Sequence, residues 1–153
     1  GARVITTTSS DIKVKQAFAL GADEVINYET EDVARRIKDI TFGRGVDVVV
    51  DHVGADFWPA AIRSLAMGGR YGICGVTSGY EVNMQMGLLF LNQQTVFGVF
   101  MGRREDLRQV VDSAGRGLIR SIIHQTYPLA DAARAHQALE DLNFFGKLVL
   151  VVP

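Results

Sequence analysis

The chain has 153 residues, 48% hydrophobic and 22% charged, a balance that can build a domain-sized core and argues against disorder. Its 16 basic and 17 acidic residues leave a net charge of −1, and neither sign forms a long run, so nothing electrostatic points to nucleic acid or a membrane surface as a partner. A single cysteine, Cys74, excludes an internal disulfide, and without a signal peptide or a spanning apolar stretch the expected setting is reducing and cytoplasmic.

Strand and helix signals alternate from the start. Residues 3–8 are β-branched from Val4 onward and read as a strand, Ser10 to Leu20 as a helix, and Glu24 to Asn27 as a short second strand. Thr30 is the expected N-cap of a helix over about 31–41, with Glu31 and Asp32 in its first turn and Gly43 and Gly45 beyond its end. Val46 to Asp51 is almost continuously β-branched, the pattern of a strand covered on both faces, so it is expected at the centre of a parallel sheet. Next come a helix over about 56–67, a turn at Gly68 and Gly69, and a strand over 70–75. Cys74 in that strand reads as a small core side chain rather than a reactive thiol. A loop over 76–80, a short helix near 87–92, a strand over 95–100 and a helix over 104–114 follow. Gly115 and Gly117 suggest a boundary, after which 122–127 reads as a strand, 128–142 as a helix opened by Pro128, and 147–152 as a last strand. Trp58, Phe90 and Phe97 are assigned to packing.

This alternation predicts an α/β fold with a mostly parallel sheet. A dinucleotide-binding fold opens with a strand, a G-x-G-x-x-G turn and a helix that cradles the pyrophosphate. No segment supplies these, so the expected architecture is a Rossmann-type doubly wound parallel sheet lacking its first strand and Gly-rich loop. In the strand order 3-2-1-4-5-6 that first strand lies between the strands at 3–8 and 46–51. Those two strands should therefore face a gap or collapse onto each other.

The end of the strand at 3–8 is where such folds choose their cofactor. An acid there holds the ribose hydroxyls of NAD, whereas a 2′-phosphate needs hydroxyls and a cation. Thr8, Ser9 and Ser10, with Lys13 a turn later, favour NADP(H) over NAD(H). The plain alternative is a helix cap beside a solvated lysine, and if Asp11 occupies the acidic position the preference reverses. Ligands of parallel sheets bind beyond the carboxyl ends of the strands, which brings forward Val53 and Gly54 after one strand and Gly75, Val76 and Thr77 after the next. His52 reads as structural, and glycine at 75 has the alternative explanation of a tight turn. His52, His124 and His136 are too scattered for a local metal motif, so no metal ligands are assigned.

Gly21-Ala22-Asp23-Glu24-Val25-Ile26-Asn27-Tyr28 and Gly45-Val46-Asp47-Val48-Val49-Val50-Asp51-His52-Val53-Gly54 resemble the medium-chain dehydrogenase/reductase family. Gly68-Gly69-Arg70, the turn over 98–102 and the terminal 145–150 agree with it in order. The likeness covers the whole chain and is nearest to the quinone oxidoreductase and zinc-type alcohol dehydrogenase branches. It implies a partial dinucleotide-binding domain over 1–118 and a C-terminal segment of the substrate domain over 119–153, with metal ligands and proton relay outside these residues. By the same resemblance Tyr28 flanks the adenosine phosphate, Val53 and Gly54 line the adenosine side, Phe100 and Met101 contact the nicotinamide, and Asn143 and Lys147 are terminal cofactor contacts. Alone, Tyr28 would equally suit a core and Lys147 a solvated surface, while an apolar pair such as Phe100 and Met101 after a strand is more often plain core.

The function implied is the cofactor-binding half of an oxidoreductase acting on a small carbonyl, alcohol, enone or quinone, inactive as these residues by themselves. Whether zinc accompanies it is left open by the sequence. A homodimer through the strand at 95–100 is the expected assembly. The alternatives are a non-catalytic nucleotide-binding homologue and a Rossmann-fold methyltransferase, which would need an antiparallel last strand pair and an acid ending the second strand.

Overall fold

The computed structural model describes all 153 residues, Gly1–Pro153, in two compact units, Gly1–Met101 and Gly102–Pro153. The first unit runs β1 (Ile5–Thr8), α1 (Asp11–Ala19), β2 (Glu24–Asn27), α2 (Val33–Ile40), β3 (Val46–Asp51), α3 (Trp58–Ser64), β4 (Leu65–Ile73), α4 (Met86–Leu91) and β5 (Thr95–Gly98). The second holds α5 (Arg104–Gly115), β6 (Ile123–Pro128), a 3₁₀ turn at Leu129–Asp131, α6 (Ala132–Glu140) and β7 (Lys147–Val151). No helix is long and apolar enough to cross a membrane.

Every strand pair is parallel: β1 with β2, β3-β4-β5 in that order, and β6 with β7. Parallel neighbours need a crossover, and α1, α3, α4 and α6 each provide one. The antiparallel pair a methyltransferase would need is not formed. β1 and β3 are not hydrogen-bonded to each other, so the directly paired, collapsed sheet does not form. The two sheets of the first unit nevertheless share a core. Ile26 of β2 and Val33, Ile37 and Ile40 of α2 are buried together, with Ile5 of β1 and Val46 of β3 packed against them. A second cluster joins Trp58 and Ala61 of α3 to Leu65 and Tyr71 of β4, where the Trp58 and Tyr71 rings meet edge to face at 5.0 Å.

Several expectations are corrected. β3 is an edge strand of its sheet, and Val48 and Val50 on one face are exposed, because no element of the unit covers that face. Asp32, not Thr30, caps α2 by accepting from the Arg35 amide at 2.9 Å. Thr30 is instead drawn into a turn in which its amide donates to the Asn27 carbonyl. Gly68 and Gly69 do not separate α3 from β4. The helix passes directly into the strand at Leu65, and the glycines lie in an irregularity where Val46 pairs with Leu65 but Val48 pairs with Arg70. Cys74 follows the last paired residue of β4 and is exposed, and Phe90 lies on the solvent side of α4.

Candidate functional site

The turn between β1 and α1 is built from its own side chains. Ser10 has extended backbone and caps α1, its Oγ accepting from the Lys13 amide at 3.4 Å. The Lys13 ammonium folds back to donate to Ser9 Oγ at 3.5 Å. Ser9, Ser10 and Lys13 are thus gathered at one helix N-terminus, whose unsatisfied amides and dipole favour an anion. The helix-cap reading of Ser10 and the phosphate reading are compatible. Thr8 ends β1 opposite Asn27, and its carbonyl accepts from the Tyr28 amide at 3.0 Å. Tyr28 therefore sits at the same sheet end, and at 49% exposure it is no core tyrosine. Asp11 in the first turn of α1 accepts from the Asn27 side-chain amide at 2.8 Å.

A second assembly lies beyond β3 and β4, organised by Asp51, which sequence reasoning missed. Its buried carboxylate accepts from the Val53 amide at 2.7 Å, from the Gly54 amide at 3.1 Å and from the Tyr71 hydroxyl. These bonds wrap residues 52–54 around the strand end. Gly54 adopts φ +92°, and a Cβ there would stand 2.8 Å from the Gly79 carbonyl oxygen. At Gly75 a Cβ would stand 2.9 Å from the His52 carbonyl oxygen. Glycine at both positions is therefore demanded by the chain's own close packing. Ser78 ties the loops, its amide and hydroxyl both donating to the Val53 carbonyl at 2.8 and 2.9 Å. The Thr77 hydroxyl reaches the His52 carbonyl at 3.4 Å, and Val76 accepts from the Gly79 amide at 3.1 Å. His52 contributes its carbonyl here while its ring is exposed. The one signal in the sequence was an acid closing a β-branched strand and followed two residues later by Val-Gly, a spacing suited to a side-chain-to-amide turn.

Phe100 and Met101 follow β5 with 93% and 81% exposure, so they are not core. In the second unit Asn143 and Lys147 are exposed, and the Lys147 amide donates to the Ile122 carbonyl at 2.8 Å. No group of three or more His, Cys, Asp or Glu side chains converges to hold a metal ion. The donors of this chain do not fit a zinc centre.

Residues 1–116 match the family profile described as zinc-binding dehydrogenase. The chain is 32% identical over 163 residues to a quinone oxidoreductase of Escherichia coli, covering 99% of this chain and 50% of that protein. It is 31% identical over 162 residues to the 2-haloacrylate reductase of a Burkholderia species, covering 99% of this chain and 48% of that one. A crystal structure of an NAD-dependent alcohol dehydrogenase superposes with a TM-score of 0.91 at 38% identity, over 100% of this chain and 45% of that chain. The chain spans about half the length of the curated relatives it matches.

The Asp51–Tyr71 pair makes a measurable demand. Burial first, and the bond to Asp51 second, hold the Tyr71 phenol well above its ordinary pKa. Tyr71→Phe leaves a buried carboxylate short of a donor and is expected to destabilise the intact protein by about 1.5–3 kcal/mol in urea unfolding. Because the folded-state pKa is raised, this contribution is fully present below the unfolded phenol's pKa and is lost as pH rises beyond it. The gap between wild type and Tyr71→Phe should hold steady from about pH 7 to 9 and narrow above about pH 10. A gap that is absent, or that widens above that pH, would contradict the assignment.

Proposed function

Because the chain belongs to the zinc-binding dehydrogenase family, we propose that it is the cofactor-binding part of an NADP(H)-dependent oxidoreductase transferring hydride to or from a small carbonyl, alcohol, enone or quinone. The gathering of Ser9, Ser10 and Lys13 at the N-terminus of α1 carries the cofactor preference. Hydroxyls, a cation and a helix N-terminus are the groups a 2′-phosphate requires. Bound nicotinamide supplies the hydride chemistry. The residues of this chain bind and orient.

In this reading Thr8, Ser9, Ser10, Lys13 and Tyr28 hold the adenosine phosphate end. Val53 and Gly54, fixed by Asp51, line the adenosine side, while Gly75, Val76 and Thr77 present backbone towards the nicotinamide half. Phe100 and Met101 offer apolar surface there, and Asn143 and Lys147 are further contacts. Residues 1–118 form the dinucleotide-binding portion and 119–153 a segment of the substrate domain. A cytoplasmic setting, consistent with one exposed thiol at Cys74, belongs to the same proposal.

Lys13→Ala in the intact enzyme should weaken NADPH by about 1.5–3 kcal/mol, or roughly tenfold to a hundredfold, and leave NADH nearly unchanged. The measurement is the pair of dissociation constants for each cofactor. Equal weakening of both would reduce Lys13 to a surface lysine, and a wild type preferring NADH would overturn the NADP(H) reading.

A homodimer through β5 completes the proposal. β5 is the outer strand of β3-β4-β5, and Phe97, Val99 and Phe100 leave apolar surface beside it, which favours strand pairing across a two-fold axis. Sedimentation of the intact protein at micromolar concentration should give a dimer, and Val99→Lys should shift it towards monomer. A wild-type monomer would rule this assembly out.

A further inference from the structure

Asn27 occupies an unusual position for a polar residue. It ends β2 opposite Thr8, is 6% exposed, and has both side-chain atoms committed. Its Oδ1 accepts from the Glu29 amide at 3.2 Å and its Nδ2 donates to Asp11 Oδ1 at 2.8 Å. The first bond fixes the orientation of the amide: with the oxygen turned to an N–H, the nitrogen must face Asp11. Backbone bonds lock the residue further, since its amide donates to Glu31 Oε1 at 2.9 Å and its carbonyl accepts from the Thr30 and Glu31 amides at 3.1 and 2.9 Å. A preorganised donor on one element thus grips an acid on another.

That acid stands next to the helix cap Ser10 and two residues before Lys13. It is the one carboxylate in the β1–α1 turn. In such folds an acid at the strand end captures ribose hydroxyls and repels a 2′-phosphate; here Thr8 ends β1, and Asp11, three residues on in the first turn of α1, is the next acid along the chain. A carboxylate that closes on a diol has to turn its two oxygens towards the hydroxyls, and the Asp11 carboxylate is turned towards Asn27, which donates to its Oδ1.

We infer that Asn27 is a specificity-determining positioning residue: it holds the Asp11 carboxylate against the end of β2, so that the turn discriminates by Ser9, Ser10 and Lys13 and not by its acid. The inference rests on the proposal that this turn receives the adenosine ribose. It adds that an acid within the turn is kept from that role by a buried amide on the neighbouring strand. Losing the amide frees Asp11 to bind the diol of NADH and to oppose the charge of NADPH.

The test is equilibrium binding of NADPH and NADH to the intact protein, wild type and variants, followed by fluorescence or calorimetry without substrate. Asn27→Leu keeps the branched shape and removes both polar atoms. It should lower the affinity ratio of NADPH over NADH by roughly tenfold, with NADH unchanged or tighter. Adding Asp11→Ala should cancel that effect, returning the ratio to that of Asp11→Ala by itself. Parallel weakening of both cofactors, or a ratio change that persists without Asp11, would overturn the inference. If Asn27→Leu does not fold, Asn27→Asp, which sets a carboxylate against Asp11, should give the same direction of change, and an unchanged ratio there would overturn it. The wild-type ratio separately tests the NADP(H) reading, because a wild type that prefers NADH defeats that reading while the change on mutation still decides the role of Asn27.

Discussion

The carboxylate of Asp51 is the point on which the loops beyond β3 and β4 depend. An ionised group taken out of water is tolerated only when its oxygens are well supplied with donors. Here the Val53 and Gly54 amides and the Tyr71 hydroxyl supply them. Satisfying Asp51 therefore bends residues 52–54 back over the strand end, and this brings Gly54 against Gly79 and Val76 with no room for a side chain. Tyr71 links the same carboxylate to the Trp58 edge-to-face contact and so to α3. One buried charge thereby joins the sheet, its covering helix and two loops.

The β1–α1–β2 unit follows a comparable logic with an amide in place of a carboxylate. Asn27 ends β2 while its side chain reaches across to the first turn of α1. The strand register of Thr8 with Asn27 places this contact, and the Ser10 cap fixes where the helix begins. Shape and electrostatics at this turn are set from the neighbouring strand as much as from the turn itself. Surface ion pairs such as Arg3 with Glu24 and Arg36 with Glu31 add little beyond solvation.

Local signals in the sequence were enough where the physics is local. β2 and β3 have the bounds their β-branched runs suggest, and helix–strand alternation was sufficient for parallel pairing throughout. What escaped depended on partners distant in the chain. The irregular passage from α3 into β4 is set by pairing with β3, which a Gly-Gly pair cannot reveal. β3 has the composition of a buried strand, yet Val48 and Val50 are exposed because burial depends on what covers a face. The gathering of Ser9, Ser10 and Lys13 was readable from helical spacing. The grips of Asn27 on Asp11 and of Asp51 on Tyr71 join residues 16 and 20 positions apart, and no local pattern marks them.

Cofactor choice turns on which group meets the adenosine ribose. A crystal structure of the intact protein with NADPH bound would read this directly. The 2′-phosphate is expected within hydrogen-bonding distance of Lys13 Nζ and of the Ser9 or Ser10 hydroxyl, with Asp11 still held by Asn27. A ribose held through both oxygens of Asp11, or a 2′-phosphate bound away from this turn, would contradict it.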